Sequence, residues 1–322
     1  MAQSNVVRIA KYAPLSEDLG AAIEGFLNCC RSKNLSGNTL IYYRNRLNAF
    51  SRYLEETCPG AGPKDVNPLI VRDFLTTETD NHSASTASHS FIALRTFFGF
   101  LVNDGFLLEN PLSKVDKPRQ RRAVIDTFSM QQVEAVLATC GKDYTGVRDR
   151  ALVLVMMDCG LRVSELCGLR LDDLNWTEQT MLVVGKGNRE RVVPFGSVTR
   201  QALLDYAARR GELDSKSLFV SVYGEALDRH RVHRIVKGRC EKAGITGLRC
   251  SPHTFRHSCA VTYLRNGGDP FSLQKLLGHS DLTMTRRYAE LSQTDVQEKH
   301  RLYSPADRLQ PAKNGQGRTR LR

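Results

Sequence analysis

The chain has 322 residues, with 46 lysines and arginines against 34 aspartates and glutamates, a formal charge of +12 and an isoelectric point near 9.4. That length allows a sizeable core in about two domains. The longest apolar run, ALVLVMM, falls far short of the roughly 18 residues a membrane span needs, which argues against a membrane partner. The charge excess favours a polyanionic partner, most often nucleic acid, over a surface that is basic without purpose. The amino terminus MAQSNVVRIA has no apolar core of signal-peptide length, so nothing suggests export. Nine cysteines without a CxxC pair fit neither a zinc spacing nor a disulfide framework. Reduced thiols in a cytoplasmic protein are the better reading.

Taken in chain order, the first ~110 residues read as helices of one compact module. Ser16 can cap a helix whose apolar positions Leu19, Ile23, Phe26 and Leu27 keep a helical period. Ser36 precedes a second helix, with Leu40, Tyr43, Leu47, Phe50 and Leu54 on one side and Arg44, Arg46 and Arg52 on the other. Pro68 suits the first position of a short third helix through Phe74. A fourth follows the tract SASTAS, buries Phe91, Leu94, Phe97, Phe98 and Leu101, and ends at Asn103-Asp104-Gly105. Those aromatics read as core and not as platforms for stacked bases. The stretch ENPLSKVDKPRQRRAV, residues 109–124, then breaks the period with two prolines and carries Lys117 and Arg121. It is either a solvated hinge or a strap lying on phosphates.

The second part mixes helices with a small sheet. Ser129 opens an amphipathic helix through Leu137, and VRDRALVLVMMD is a buried helix stopped at Gly160. MLVVGKGNRERVVPFG, residues 181–196, alternates as a β-hairpin around Gly-Lys-Gly-Asn. Residues 228–244 form a basic helix carrying Arg229, Arg231 and Arg234, with Val232, Ile235 and Val236 facing a core. More helices run from His253 to about residue 300, followed by a polar, basic tail over 301–322.

Four clusters carry the chemistry. In CGLRVSELCGLR, Arg162 follows a helix-ending glycine and Glu165 stands three residues on, a spacing equally at home in a structural salt bridge. Lys186 sits at the hairpin tip between two glycines, where most lysines are simply solvated but where the backbone can approach a partner. SPHTFRHSCA puts His253, Arg256 and His257 on one helical face. Two histidines at that spacing could hold a metal, yet Arg256 would repel a cation and suits an anion. LLGHSDLTMTRRYAEL supplies His279 and Tyr288, nine residues apart. On an unbroken helix they would lie ~13 Å apart on opposite faces. They can share a site only if the chain breaks between them, at Ser280 and the weak helix formers Thr283 and Thr285. Taken alone, Tyr288 is also consistent with a structural core tyrosine.

In order and local context, Arg162, Lys186, His253-x-x-Arg256, His279 and Tyr288 resemble the active-site signature of the tyrosine recombinase (phage integrase) family, most like its Xer-type members. GLRVSELCGL, GKGNRERVVP, PHTFRHSCA and LLGHSDLTMTRRY look like the family's corresponding boxes, across residues 15–300. The resemblance implies a mainly α fold with a small β-sheet. It would be a two-domain, C-shaped clamp: an N-terminal helical core-binding domain over 15–110, a basic linker over 111–127, a mixed α/β catalytic domain over 128–300 and the tail. Only ~15 residues precede the first helix, too few for the arm-binding domain of lambda-type integrases. Residues 240–252 leave no room for the insertion of integron integrases.

The resemblance also implies roles. Tyr288 would attack a DNA phosphodiester, leaving a 3′-phosphotyrosyl bond and a free 5′-hydroxyl, without cofactor. Arg162 and Arg256 would hold the non-bridging oxygens. Lys186 would protonate the leaving 5′-oxygen, His253 would handle the tyrosine proton, and His279 would donate to the phosphate. Glu165 would hold Arg162, and His257 would pack or support. With this much positive charge at the phosphate, no metal is called for. Arg44, Arg46, Lys117, Arg121, Arg229, Arg231 and Arg234 would bind the duplex. The partners would be double-stranded DNA with a recombination site and further protomers, its own or a paralogue's, in a tetramer on that DNA. Residues after Tyr288, roughly 292–309, would dock on a neighbouring protomer. A nicking-closing activity without strand exchange shares the chemistry. A non-enzymatic DNA-binding relative sits poorly with the intact signature, and a metal hydrolase built on His253, His257 and His279 lacks carboxylate ligands.

Overall fold

The computed structural model describes residues 15, 17–119, 125–185, 187–278, 283–292, 300, 304 and 306. Among the anticipated site residues, Arg121, Lys186 and His279 lie outside the described residues, as do Ser280 and most of the tail. The chain divides into two compact units, Met1–Ala123 and Val124–Arg322.

The first unit is helical throughout: α1 (Leu19–Ser32), α2 (Gly37–Thr57), α3 (Pro68–Asn81) and α4 (Ala84–Asn103). Its core gathers Phe26, Leu27, Leu47, Phe50, Phe97 and Phe98, with Phe26 and Phe97 edge to face at 5.7 Å, the arrangement favoured by their ring quadrupoles. The anticipated aromatic stripe is therefore core. Several boundaries differ from the sequence reading. Ser16 lies outside the described residues, and Asp18 caps α1, its carboxylate accepting from the Ala21 amide at 3.0 Å. The third helix runs past Phe74 to Asn81, because Leu75 and Glu78 continue its buried stripe. The tract SASTAS opens the fourth helix instead of preceding it: Ser83 is the N-cap, and Ala87 and Ser88 are already buried. The stretch taken as linker also starts later. Leu112 and Val115 are buried in this core, so residues 111–115 belong to the first unit.

The second unit comprises α5 (Met130–Ala138), α6 (Tyr144–Cys159), α7 (Val163–Gly168), a sheet, α8 (Ser197–Arg210), α9 (Arg229–Lys242), α10 (Pro252–Arg265), α11 (Pro270–Leu277) and α12 (Thr283–Ser292). β1 (Leu174–Asn175), β2 (Thr180–Val184) and β3 (Glu190–Pro194) pair antiparallel in that order. Val183 faces Arg191 across the anticipated hairpin, and the Gly185 amide closes its turn on the Arg189 carbonyl at 2.7 Å. Neither β1 nor α8 figures in the sequence reading. β1 is two residues long, and α8 spends its period on Ala202, Leu203 and Tyr206 among three arginines. The core is built on α6, where Ala151 through Met156 are all buried. All nine cysteines are free thiols. No described helix is long and apolar enough to cross a membrane.

One buried carboxylate ties the helices of this unit together. Asp149 on α6 accepts two hydrogen bonds from Arg148 at one oxygen (2.9 and 2.7 Å) and two from Arg239 on α9 at the other (2.9 and 2.7 Å). Arg239 also donates to the Thr139 carbonyl behind α5. Replacing Asp149 by Ala would strand two guanidiniums in a site where Asp149 is only 4% exposed. The expected loss is about 3–5 kcal/mol. Urea unfolding followed by fluorescence checks it, because the chain's single tryptophan, Trp176, reports this unit.

Candidate active site

The anticipated residues are set out by two helix ends. α6 stops at Gly160, whose φ of +58° is left-handed. A Cβ there would come within 2.6 Å of the Leu277 side chain, so only glycine fits. The chain then re-enters helix at α7 with Arg162 as its N-cap residue. On the other side, α11 ends at Gly278, again left-handed at +64°. α11 ends at Leu277 and α12 begins at Thr283; the break expected between His279 and Tyr288, at Ser280, falls on residues 279–282, outside the described residues.

The end of α11 leaves backbone carbonyls without intrahelical partners, and its dipole favours cations there. Three guanidiniums fill the position. Arg256 on α10 donates to the Leu277 carbonyl at 2.8 Å and to the Gly160 carbonyl at 2.5 Å. Arg162 donates to Gly278 at 3.2 Å and reaches Leu277 at 3.5 Å. Arg191 on β3 donates through Nε to Leu276 at 3.0 Å. Arg162 and Arg256, 94 positions apart in the chain, therefore converge on one carbonyl oxygen.

Glu165 anchors this group. Its carboxylate accepts from Arg162 Nη1 at 2.8 Å and from the Arg162 amide at 2.9 Å. Arg191 grips both of its oxygens, at 3.0 and 2.9 Å. Burial alone would raise the Glu165 carboxyl; the Arg191 and Arg162 hydrogen bonds outweigh it and hold the group at about 2. Burial, then the neighbouring Arg162 charge, brings Arg256 down to about 10, still protonated at neutral pH. The Glu165 tether to Arg162 follows the sequence reading. Arg191 does not: it was missed. One signal pointed to it, since Arg191 precedes buried Val193 by two in a strand and so faces inward, where a cation needs a partner.

The histidines and the tyrosine divide differently from the sequence reading. Tyr288 lies on α12, 1% exposed, in a small cluster with Ala260, Val261, Leu264, Leu273 and Leu277. Its hydroxyl meets His257 Nδ1 at 2.6 Å. His253, one turn earlier on α10, is exposed, with its ring 6.3 Å from that of His257. Burial, then His253 and Arg256, brings His257 down to about 4. Partial desolvation and Arg256 also lower His253. Burial raises the Tyr288 phenol, while Arg256 and Arg287 pull it the other way. Among the described residues no group of three or more His, Cys, Asp or Glu could hold a metal ion.

The expected DNA-contacting residues are spread over both units. Arg44 pairs with Glu24 at 2.8 Å and Arg46 with Glu78 at 3.4 Å, so both are tied to carboxylates of the first unit. Lys117 is exposed. On α9, Arg229 and Arg234 are exposed, and Arg231 pairs with Glu225 at 2.8 Å. The inner face of that helix is Val232, Val236 and Cys240.

Comparison with known proteins agrees with this arrangement. Residues 126–295 match the model of the phage integrase family, and residues 23–105 that of its N-terminal SAM-like domain. Tyrosine recombinase XerD of Shewanella oneidensis is 33% identical over 291 residues, covering 88% of this chain and 96% of that protein. Tyrosine recombinase XerC of Listeria welshimeri is 32% identical over 296 residues, covering 89% and 98%. Among solved structures, the XerH recombinase on palindromic difH in its post-cleavage complex superposes with a TM-score of 0.72 at 19% identity, covering 95% of this chain and 89% of that one. A lambda integrase (75–356) dimer on a COC' core site gives 0.71 at 19%, covering 83% and 96%. With the arginines gathered at one helix end and a tyrosine on the helix that follows, the chain belongs to the phage integrase family, the tyrosine recombinases.

Proposed function

We propose that this protein cuts and rejoins DNA at a specific site through a phosphotyrosyl intermediate on Tyr288. The observation that carries the reading is the convergence of Arg162 and Arg256 on the Leu277 carbonyl. Two planar guanidiniums aimed at one oxygen can equally flank the non-bridging oxygens of one phosphate, where charge grows as the phosphorus is attacked. Lysine has no such fork, so Arg162→Lys should lose activity although the charge is kept.

The remaining roles follow from position. Tyr288 is buried, so attack requires α12 to carry the phenol out of its cluster. That cluster is small and separate from the main core, which limits the apolar area such a movement exposes. With His257 neutral and its proton on Nε2, Nδ1 accepts the Tyr288 hydroxyl in the resting arrangement. His253, exposed on the same helix, remains the candidate acceptor of the phenol proton once Tyr288 has moved. Lys186 and His279 take the leaving-oxygen and phosphate roles by their places in the motifs. The 15–110 helical unit and the exposed arginines of α9 supply the phosphate contacts that hold duplex DNA. Strand exchange would proceed in a tetramer on DNA inside the cell. The lambda integrase tetramer solved on a Holliday junction supports this by likeness of fold.

The reaction is tested by incubating the protein with a pool of nicked duplexes with randomised centres and recovering protein–DNA adducts that survive detergent. Wild type should give such adducts and define the site, Tyr288→Phe should give none, and Arg162→Lys should cleave about 10²-fold more slowly. An adduct with Tyr288→Phe would overturn the nucleophile. A second expectation concerns charge. The folded pKa of His257, about 4, lies below the free value of ~6.5, so the unfolded chain takes up the proton first. The stability owed to this group is complete above pH ~6.5 and is lost as pH falls towards 4, by about 2–3 kcal/mol. An NMR titration of the ring checks this, a midpoint near 4 being expected and one near 6.5 contradicting it.

A further inference from the structure

Arg191, like Arg162, touches both halves of the arginine cluster's support, the Glu165 carboxylate and the end of α11. Through Nη1 and Nη2 it holds the two oxygens of Glu165 at 3.0 and 2.9 Å. Through Nε it holds the Leu276 carbonyl at 3.0 Å. Glu165 in turn fixes Arg162 by side chain and by amide, and the carbonyls that follow Leu276 are those on which Arg162 and Arg256 converge. The Arg191 side chain is only 15% exposed and that of Glu165 3%, so the pair is shielded from solvent. A Cβ on Gly278 would come within 3.0 Å of the Arg191 guanidinium carbon, which shows how closely the helix end lies on it. The turn between β2 and β3 lies on the same ion pair: a Cβ on Gly185 would sit 3.6 Å from Glu165 Oε1 and 3.8 Å from Arg191 Nη1.

We propose that Arg191 is a positioning residue for strand cleavage, orienting Arg162 through Glu165 and seating the β2–β3 turn against that same carboxylate. The inference rests on the recombinase reading and adds a residue to it. Arg191 acts through Glu165 and the end of α11 without touching the phosphate. A bidentate guanidinium with a third donor at Nε does this, and an ammonium cannot span the three acceptors.

The role has a consequence that simple loosening of the fold would not have. Glu165 is faced by Arg162 from its own helix, by Arg191 from β3, and at longer range by Arg256 from α10. With Arg191 present the carboxylate stays ionised at every pH in which the protein is handled. Without it, one cation remains in hydrogen-bond contact with a desolvated carboxylate, which then takes up a proton in mildly acid solution and lets go of Arg162.

The test uses full-length protein and the nicked duplex recovered with wild type, comparing single-turnover cleavage and duplex affinity for Arg191→Gln and Arg191→Lys. Arg191→Gln should cleave about 10²-fold more slowly with affinity within about two-fold of wild type. Its rate divided by the wild-type rate at each pH, a ratio in which the histidines common to both cancel, should fall as pH drops from 8 to 5. Arg191→Lys restores the charge but not the fork. It should show a flat ratio and a rate between the two. Cleavage by Arg191→Gln within about three-fold of wild type, or a slower rate whose ratio is flat across that range, would overturn the proposal. Should Arg191→Gln fail to fold, Arg191→Lys decides: wild-type cleavage overturns the role, and slowed cleavage with intact affinity sustains it. Absence of any wild-type adduct is a separate result, one that removes the recombinase reading itself and this inference with it.

Discussion

The arrangement depends on a carboxylate sealed between two guanidiniums at the end of a short helix. Three arginines gathered in so small a volume repel one another, and burial would normally drive such a cluster apart or discharge it. Glu165 supplies the counter-charge, and the carbonyls of Leu276, Leu277 and Gly278 supply the hydrogen bonds. A site meant for an anion must keep a surplus of positive charge before the anion arrives. Here one carboxylate against three guanidiniums leaves that surplus, and the helix end stabilises it without adding a further formal negative charge. Donors fixed in advance need no reorganisation when charge develops on a phosphate, and this is where electrostatic catalysis gains its advantage over water.

The proposed nucleophile is held under the opposite logic. Tyr288 is buried among aliphatic side chains with its hydroxyl against the His257 ring, and burial disfavours the phenolate although Arg256 and Arg287 pull the other way. Keeping a DNA-cleaving group idle until α12 moves would separate positioning of the phosphate, which is built in, from delivery of the attacking oxygen, which is conditional. The two glycine helix ends serve the first function. They let α6 and α11 stop abruptly, so that Arg162 and Arg256 can meet over carbonyl oxygens without intervening side chains.

Much of this could be read from the chain. Hydrophobic period located most helices, and the spacing from His279 to Tyr288 asked for a break in the region where α11 ends at Leu277 and α12 begins at Thr283. The positions of Arg162, Glu165, Arg256 and Tyr288 followed from motif order. Other features were not legible, for identifiable reasons. α8 hides its few buried positions among arginines, and β1 is too short to carry a pattern. The lower end of the first unit extends into a stretch that prolines and basic residues made look solvated, because Leu112 and Val115 are only two apolar anchors. Which imidazole meets the tyrosine is a matter of α12's placement on α10, a long-range choice that periodicity does not encode: His253 and His257 share a face, and the structure selects His257. Arg191 left only the alternation of its strand as a sign, and the backbone carbonyls it caps leave none.

In the proposed reaction Arg162 and Arg256 are aimed at a single anion. The direct measurement is a crystal structure of Tyr288→Phe on its captured duplex, read for the distances from both guanidiniums to the phosphate at the cleavage position. Arg162 and Arg256 should each donate to a non-bridging oxygen of that one phosphate, with Arg162 still on Glu165. A phosphate bound elsewhere, with Arg256 still holding the Gly160 and Leu277 carbonyls and Arg162 turned to a different group, would contradict the claim.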